Sequence, residues 1–160
     1  MIALDAIRKR YGALDVLQDV SLTLPTGAVT ALVGPNGSGK TTLIKIILGL
    51  TRADGGVLHL NGLPADTEGA YRRAIGYMPQ AAHFPVNLRV ADVLELVAQL
   101  RPGEATDDDL SRAFDMQAIR DKYVGTLSGG TRQRVNAVIA FMFRPSVLIL
   151  DEPTAGLDPL

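Results

Sequence analysis

Residues 34–41 have the sequence GPNGSGKT, which is rich in glycine and ends in lysine and threonine. The apolar run AVTALV precedes this segment at 28–33, and TTLIKIILGL follows it at 41–50. The first run predicts a buried strand, and the second predicts a deeply packed helix that is apolar nearly all round. A glycine-rich turn between a strand and a helix, with this spacing of glycine, lysine and threonine, predicts an α/β fold whose loop holds phosphate groups.

The rest of the chain alternates between strand and helix patterns, as an α/β core requires. The predicted strands cover 2–7, 16–24, 56–60, 74–78 and 146–150, and the predicted helices cover 67–73, 90–100, 106–114 and the segment from Ser128 to about 144. The pair Thr106 and Asp109 has capping-box spacing. The first third is richest in strands and predicts an added antiparallel layer. We therefore expect a strand-rich core over 1–80, a helical subdomain over about 85–135 and a last core segment over 146–160.

Composition narrows the class of protein. The 160 residues suit one domain, and 47% hydrophobic residues allow a packed core. Sixteen basic residues nearly balance 17 acidic ones. The chain therefore lacks the excess of positive charge that would indicate a nucleic-acid partner. The chain has no cysteine, which excludes disulfides and thiolate chemistry. No apolar run approaches the roughly 18 residues of a membrane span.

Each residue type in the loop has a physical use for phosphate. The glycines Gly34, Gly37 and Gly39 let successive backbone N–H groups turn inward, and the next helix adds its positive end. Lys40 supplies a mobile charge for the β- and γ-phosphates, and the Thr41 hydroxyl can bind Mg²⁺. The remaining predicted nucleotide contacts of this segment are Asn36, Ser38 and Thr42. The alternative is a glycine-rich turn with an exposed lysine.

Two adjacent carboxylates follow the last predicted strand. Asp151 and Glu152 end SVLILDEP at 146–153. Because neighbouring strand residues point to opposite faces, the two side chains are expected to do different work. Asp151 can hold the magnesium shell, and Glu152 can accept a proton from an attacking water. The alternative is an acidic cluster that caps the next element.

The segment LSGG at 127–130 restricts the family. Together with GPNGSGKTT, YMPQ at 77–80, LILDEP and AGLDP at 155–159, it resembles the ATP-binding subunit of ABC transporters over the whole chain. The resemblance identifies these segments, in chain order, as the Walker A loop, the Q-loop with Gln80, the signature, Walker B and the D-loop with Asp158. It implies a P-loop NTPase core of the ABC type, with ATP and Mg²⁺ as cofactors.

The resemblance also implies partners and further roles. In this family the signature of one subunit faces the ATP of another, so Ser128, Gly129 and Gly130 are expected to contact the γ-phosphate held by a second ATP-binding subunit, identical or different. Ser128 can also simply cap its helix. Gln80 is expected to sense magnesium or the attacking water. Tyr11 is expected to stack on adenine, or else to pack between the first strands. Asp158 is expected to line the dimer interface or to start a turn.

The implied protein is an ATPase at the cytoplasmic face of the cell membrane, bound there through a separate transmembrane permease. Two departures from the family pattern stand out. Thr131 replaces the usual glutamine after the signature, which leaves trans phosphate binding in place. The chain stops at Leu160, before the family's switch histidine and closing strands, which indicates a C-terminally truncated domain. We therefore expect these 160 residues to bind nucleotide, to hydrolyse it weakly or not at all, and to be poorly soluble.

Other functional classes remain open on the sequence. A soluble ABC-type ATPase acting on ribosomes or DNA shares the motifs, although only 87 residues separate Lys40 from Ser128, which leaves no room for the long coiled coil of chromosome-maintenance members. A P-loop kinase for small molecules gives no reason for LSGG or AGLDP. The segments IGYMPQ and GTRQRVNAVIAFMF are similar to those of ATPases in export or copper-enzyme maturation systems, including those that serve nitrous oxide reductase.

Overall fold

The structure is a computed structural model that describes residues 1–65 and 69–153. The chain divides between residues 72 and 73 into two compact units, each with its own sheet. The predicted motifs are shared between these units. Tyr11 and the loop at 34–41 belong to the first, whereas Gln80, the signature and the two carboxylates belong to the second.

The first unit is built on the antiparallel layer that the sequence predicts. Its sheet has the order β2-β1-β3-β4. The strands are β1 (Ile2–Tyr11), β2 (Leu14–Leu24), β3 (Gly55–Leu60) and β4 (Leu63–Pro64). The turn between β3 and β4 is Asn61-Gly62, with φ of 52° and 83°. Two positive φ values are what a two-residue hairpin turn needs, so the predicted tight turn is confirmed.

Helix α1 (Lys40–Ile47) follows the glycine-rich loop directly. Leu43, Ile46 and Ile47 of this helix are buried, as are apolar residues of the sheet in the same unit: Ile2, Leu4, Ile7, Leu17 and Leu60. The helix is shorter than predicted, because it ends at Ile47 and leaves Leu50 65% exposed. Its apolar side chains form the core that supports the start of the helix.

The predicted strand over 28–33 is wrong. These residues form no strand, and Val29 and Val33 are 103% and 87% exposed. A strand of a buried sheet takes its hydrogen bonds and its burial from neighbouring strands, and the antiparallel sheet takes its four strands from elsewhere in the unit. Local hydrophobicity therefore identified the run without supplying the partners that would order it.

The second unit contains a parallel pair of strands and three helices. Strand β5 (Ile75–Met78) pairs with β6 (Val147–Leu150), with Ile75 opposite Val147. The helices are α2 (Val90–Gln99), α3 (Asp109–Ala113) and α4 (Gly129–Phe141). Strand β6 is half-buried rather than buried as predicted, because β5 is its one neighbour among the described residues.

The helices enclose an apolar cluster of their own. Its buried members are Val90, Val93, Met116, Val124, Leu127, Val135 and Val138. They come from α2, from α4 and from the segment between α3 and α4, so the residues on either side of the signature share one core. The predicted helix over 90–100 is confirmed, whereas that over 67–73 is a 3-10 turn at Ala70–Ala74, with residues 66–68 outside the described part.

The start of α3 differs from the predicted capping box. The helix begins at Asp109, whose N–H donates to Asp107 Oδ1 at 2.8 Å, and Thr106 takes no part. Asp107 also accepts a hydrogen bond from Arg144 Nε at 2.7 Å. The Asp109 amide, and after it the Arg144 guanidinium, lowers the pKa of Asp107 below its ordinary 3.8. Asp107, and not Thr106, accepts the hydrogen bond at the start of α3, and Arg144, 37 positions away in the sequence, holds the Asp107 carboxylate in place.

None of the helices in the described part of the chain is long and apolar enough to cross a bilayer.

Candidate functional site

The glycine-rich loop curls around its own lysine. Lys40 Nζ donates to the carbonyl oxygens of Gly34 at 2.6 Å and Pro35 at 2.9 Å. The Ser38 N–H also donates to Pro35 O at 3.2 Å. The ammonium group is thus held at the mouth of the loop, where its charge is directed at the backbone that surrounds it.

The glycines of the loop are required by conformation and by space. Gly39 precedes α1 with φ of 89°, and a Cβ there would lie 2.8 Å from Leu17 Cδ2 and 3.0 Å from Val16 O. Gly37 has φ of 81° with open space around it, and a Cβ on Gly34 would lie 2.9 Å from Ser38 Oγ. Gly37 and Gly39 thus give the loop a backbone conformation that other residues rarely adopt, and such a turn can direct N–H groups at phosphate oxygens.

The other predicted contacts of the first unit lie around this loop or at the end of a strand. Thr41 and Thr42 stand in the first turn of α1, with Thr41 exposed and Thr42 half-buried, and Asn36 is exposed in the turn before Gly37. Tyr11 is the last residue of β1 and is 48% exposed. It is therefore not packed between the first strands, and its ring is accessible.

The described residues do not form an all-protein cage for a metal ion. They contain no group of three or more acidic or histidine side chains that could hold an ion. Magnesium prefers one or two carboxylates and fills its remaining positions with water and substrate phosphates. Asp151, in the second unit, is half-buried, and Thr41, in the first unit, is exposed.

Gln80 and Glu152 meet in the second unit. Gln80 Nε2 donates to Glu152 Oε2 at 2.5 Å, although the two residues are 72 positions apart in the sequence. Both are exposed, and Glu152 has φ of 48°, in the left-handed region that non-glycine residues seldom adopt. The parallel pair β5–β6 brings these residues together, because each follows the carboxyl end of its strand.

Asp151 has a different partner from its neighbour, as the alternation of strand side chains predicts. Its backbone N–H donates to Met78 O at 2.9 Å, which extends the β5–β6 pairing by one step. Its carboxylate accepts a long hydrogen bond, 3.5 Å, from the Tyr77 hydroxyl. Burial, and then the charge of Asp151, raises the pKa of Tyr77, so the phenol remains a donor at neutral pH.

The signature begins α4 with its serine as the cap. Ser128 Oγ accepts from the Thr131 N–H at 3.2 Å and lies 2.8 Å from Thr131 Oγ1. Ser128 and Gly129 are exposed and Gly130 is half-buried. Two exposed or partly exposed glycines without Cβ atoms leave the first amides of the helix open to an anion. The threonine in place of glutamine thus supports the serine hydroxyl directly.

Two residues of α4 that the sequence analysis did not single out connect the signature helix to the Q-loop. Asn136 is 2% exposed, and its Nδ2 donates to Pro79 O at 3.0 Å and to Gln133 Oε1 at 3.2 Å. Gln133 Nε2 donates to Gln80 O at 3.2 Å. The available signal was the polar Asn136 inside the apolar run VNAVIAFMF, because a buried amide must find partners.

The D-loop lies outside the described residues, and with it Asp158. His59 lies on β3, and His83 lies in a loop with its Nδ1 3.1 Å from Ala81 O. Of the predicted site residues, the Lys40 loop and Tyr11 lie in the first unit, and the Gln80–Glu152 pair, Asp151 and the signature lie in the second.

Known proteins are similar in sequence to this chain along its whole length. The ABC transporter family profile matches residues 17–155. A probable ABC transporter ATP-binding protein of Azorhizobium caulinodans is 40% identical over 99% of this chain and 59% of its own length. The sulfate/thiosulfate import ATP-binding protein CysA of Synechococcus elongatus is 37% identical over 98% of this chain and 47% of its own. The lipopolysaccharide export ATP-binding protein LptB of Haemophilus influenzae is 36% identical over 100% and 70%.

The chain thus spans roughly half to two thirds of the length of these relatives. Solved structures agree with them. An ATP-binding subunit of an ABC transporter superposes with a TM-score of 0.85 at 32% identity, covering 99% of this chain and 68% of that one. A bacterial ABC transporter cassette solved as a dimer superposes with a TM-score of 0.84 at 26% identity, covering 99% and 76%. This chain belongs to the family of ABC transporter ATP-binding proteins.

Proposed function

We propose that this chain is the ATP-binding and ATP-hydrolysing part of an ABC transporter, which couples closure of a head-to-tail dimer around ATP to movement of a substrate through a separate membrane subunit. The observation that carries the proposal is the loop at 34–41. Gly37 and Gly39 have positive φ, a Cβ on Gly39 would lie 3.0 Å from Val16 O, and two carbonyl oxygens of the loop accept hydrogen bonds from the Lys40 ammonium.

Lys40 is the residue that would recognise the terminal phosphates. Its ammonium donates to two carbonyl oxygens of its own loop, and phosphate oxygens carry more negative charge than carbonyl oxygens do. A cation is attracted more strongly to an anionic oxygen than to a neutral carbonyl oxygen. The ammonium would therefore exchange these contacts for phosphate without leaving the loop. Thr41 and Asp151 would hold Mg²⁺, which neutralises charge on the phosphates when bound.

Glu152 is the proposed general base. A base must stand within hydrogen-bonding reach of the water whose proton it takes. The carboxylate of Glu152 is exposed and has the amide of Gln80 as its partner, so Gln80 would orient it and report its state to the Q-loop.

The signature is the proposed half-site for a second copy or a related subunit. Ser128, Gly129 and the N-terminus of α4 would offer a hydroxyl and backbone amides to an anion. One solved cassette with this fold is a dimer. A transmembrane permease would be the other partner and would hold this chain at the cytoplasmic face of the membrane. Relatives named for import and for export are 37% and 36% identical, so cargo and direction would be set by the permease. Service to an export or copper-enzyme system stays a prediction.

Titration of the protein with ATP in the presence of Mg²⁺ tests the binding role of the loop. The chain is expected to bind ATP, and Lys40→Ala is expected to weaken binding by at least about tenfold, which is about 1.4 kcal/mol for a lost charged contact. Lys45→Ala is the matched control, since Lys45 is an exposed lysine in the last turn of the same helix. Equal affinities of the Lys40 and Lys45 variants would exclude the loop as the phosphate site.

Substitution of the base tests the hydrolytic role. Glu152→Gln is expected to retain ATP and to lower turnover by about 10²- to 10⁴-fold, the usual contribution of a general base. Phosphate release is measured on the protein assembled with its permease. Unchanged turnover would assign the base to another residue.

A further inference from the structure

An ion pair beside Tyr11 is not used by the phosphate-binding machinery. Asp54, just before β3, accepts a hydrogen bond from Lys9 Nζ at 2.8 Å and another from the Arg10 N–H at 2.8 Å. Its own N–H donates to Arg8 O at 2.8 Å. The Lys9 side chain is only 13% exposed. Asp54 thus joins β1 to the start of β3 and fixes the end of a lysine that would otherwise be flexible.

The same lysine covers the ring of Tyr11. Lys9 Nζ lies 5.3 Å from the centre of the ring, within the range at which a cation is attracted to an aromatic face. Tyr11 is itself 48% exposed, so the ring is covered on one side and accessible elsewhere. The aromatic side chain is therefore held from behind by a charge that is in turn held by Asp54.

The chemistry of Lys9 argues against a phosphate contact of its own. Its ammonium is paired with a carboxylate, which cancels the charge that a phosphate would seek. The hydrogen bond from Lys9, followed by that from the Arg10 amide, lowers the pKa of Asp54, so this carboxylate is ionised at neutral pH. What the pair offers is orientation. A platform whose ring is already fixed loses less conformational freedom when a base stacks on it.

We propose that Lys9 and Asp54 are positioning residues for the nucleobase of the bound nucleotide: they fix the Tyr11 ring with one face against the ammonium and present the opposite face to the base. The inference rests on the proposed function, since it needs a nucleotide at the Lys40 loop. Stacking on a ring face requires no hydrogen-bond code, so the subsite would accept any purine base.

A double-mutant cycle tests this inference, with each variant titrated with ATP in the presence of Mg²⁺. Lys9→Met is expected to weaken ATP binding about three- to tenfold, from the lost cation–π contact and the loosened ring. Lys9→Arg keeps a cation over the ring and is expected to restore most of the affinity. In a Tyr11→Ala background, Lys9→Met is expected to have no further effect, because the ring through which Lys9 acts is gone.

Inorganic tripolyphosphate separates a base-specific role from a general structural one. Lys9→Met is expected to leave the affinity for tripolyphosphate unchanged, since tripolyphosphate has no base. Arg8→Met is the matched control, because Arg8 is the adjacent basic residue and pairs separately with Asp19 at 2.9 Å. It is expected to bind ATP as the unsubstituted chain does. If Lys9→Met does not fold, Asp54→Asn supplies the same comparison by releasing the ammonium.

Two results would overturn the inference. One is an equal loss of ATP and tripolyphosphate affinity in Lys9→Met, and the other is an equal loss of ATP affinity with and without the Tyr11 ring. Failure of the proposed function gives a different result. In that case the unsubstituted chain binds neither ATP nor tripolyphosphate, or the Lys40→Ala variant binds both ligands with the same affinity as the unsubstituted chain.

Discussion

The predicted functional residues of the two units are held in different ways. The phosphate loop of the first unit depends on backbone conformation, with Gly37 and Gly39 at positive φ and the Lys40 ammonium bonded to carbonyl oxygens. The second unit depends on side chains, in a chain of amide contacts from Glu152 through Gln80 to Gln133 and Asn136. A backbone site fails when a Cβ is added, whereas a side-chain network fails when an amide is removed.

The difference also affects how signals can travel. The loop offers a fixed shape to any triphosphate, so it is suited to binding. The network joins the proposed base to the helix that begins at Ser128, and Asn136 anchors it in the apolar core. Contiguous hydrogen bonds therefore connect the Q-loop to the signature helix, and we expect changes at one to affect the other. The comparison predicts that variants of the first unit alter affinity, and that variants of the second alter stability and coupling.

The largest expected effect comes from adding a methyl group to the loop. Gly39→Ala combines a positive φ with a Cβ 2.8 Å from Leu17 Cδ2, and should destabilise the loop by about 2–4 kcal/mol and abolish ATP binding at micromolar concentrations. Gly37→Ala has the positive φ without the collision, and should cost about 1–2 kcal/mol. Calorimetric titration and urea unfolding measure both. Equal effects at the two positions would refute the spatial part of the argument.

A smaller effect is expected when the buried amide of the second unit is removed. Asn136→Ala leaves Pro79 O without its donor, and should lower the free energy of unfolding by about 1–3 kcal/mol with ATP affinity unchanged within about twofold. The exposed Asn87 provides the matched control as Asn87→Ala. Urea unfolding and ATP titration distinguish the two outcomes. A variant with native stability but weakened ATP binding would reverse the assigned roles of the two regions.

The smallest expected effect is confined to acid solution. The pKa of Asp107 is lower in the folded chain than its ordinary 3.8, so its hydrogen bonds stabilise the fold above about pH 4 and are lost as the pH falls through the folded value. Asp107→Asn should therefore be less stable than the unsubstituted chain at pH 7, and the difference should shrink at pH 3. Thermal unfolding at the two pH values measures this. A difference that grew on acidification would show the wrong sign for the pKa shift.

Local chemistry made some parts of the structure predictable from the sequence. The Asn61-Gly62 turn, the Ser128 cap and the glycine loop depend on residues within a few positions of one another, and these were located correctly. Parts that depend on distant partners were not. The run at 28–33 has strand composition without strand neighbours, and the bond from Asn136 to Pro79 spans 57 positions.

The start of α3 shows the same limit on a smaller scale. Thr106 and Asp109 have the spacing of a capping box, but Asp107 has the added attraction of Arg144, 37 positions away. The Gln80–Glu152 contact lies between these cases. Both residues were identified by their motifs, yet their meeting depends on the parallel register of β5 and β6, which the sequence alone does not specify.

Crosslinking between copies tests the central claim most directly, namely that each ATP is enclosed by the loop of one copy and the signature of another. The chain has no cysteine, so single thiols can be introduced without background. Mixing Ser38→Cys with Ser128→Cys should give a disulfide-linked dimer whose yield rises with ATP, whereas Thr23→Cys, on exposed β2, should not crosslink to Ser38→Cys. A Ser38–Ser128 yield that is the same with and without ATP, or no higher than the Thr23 control, would contradict the account.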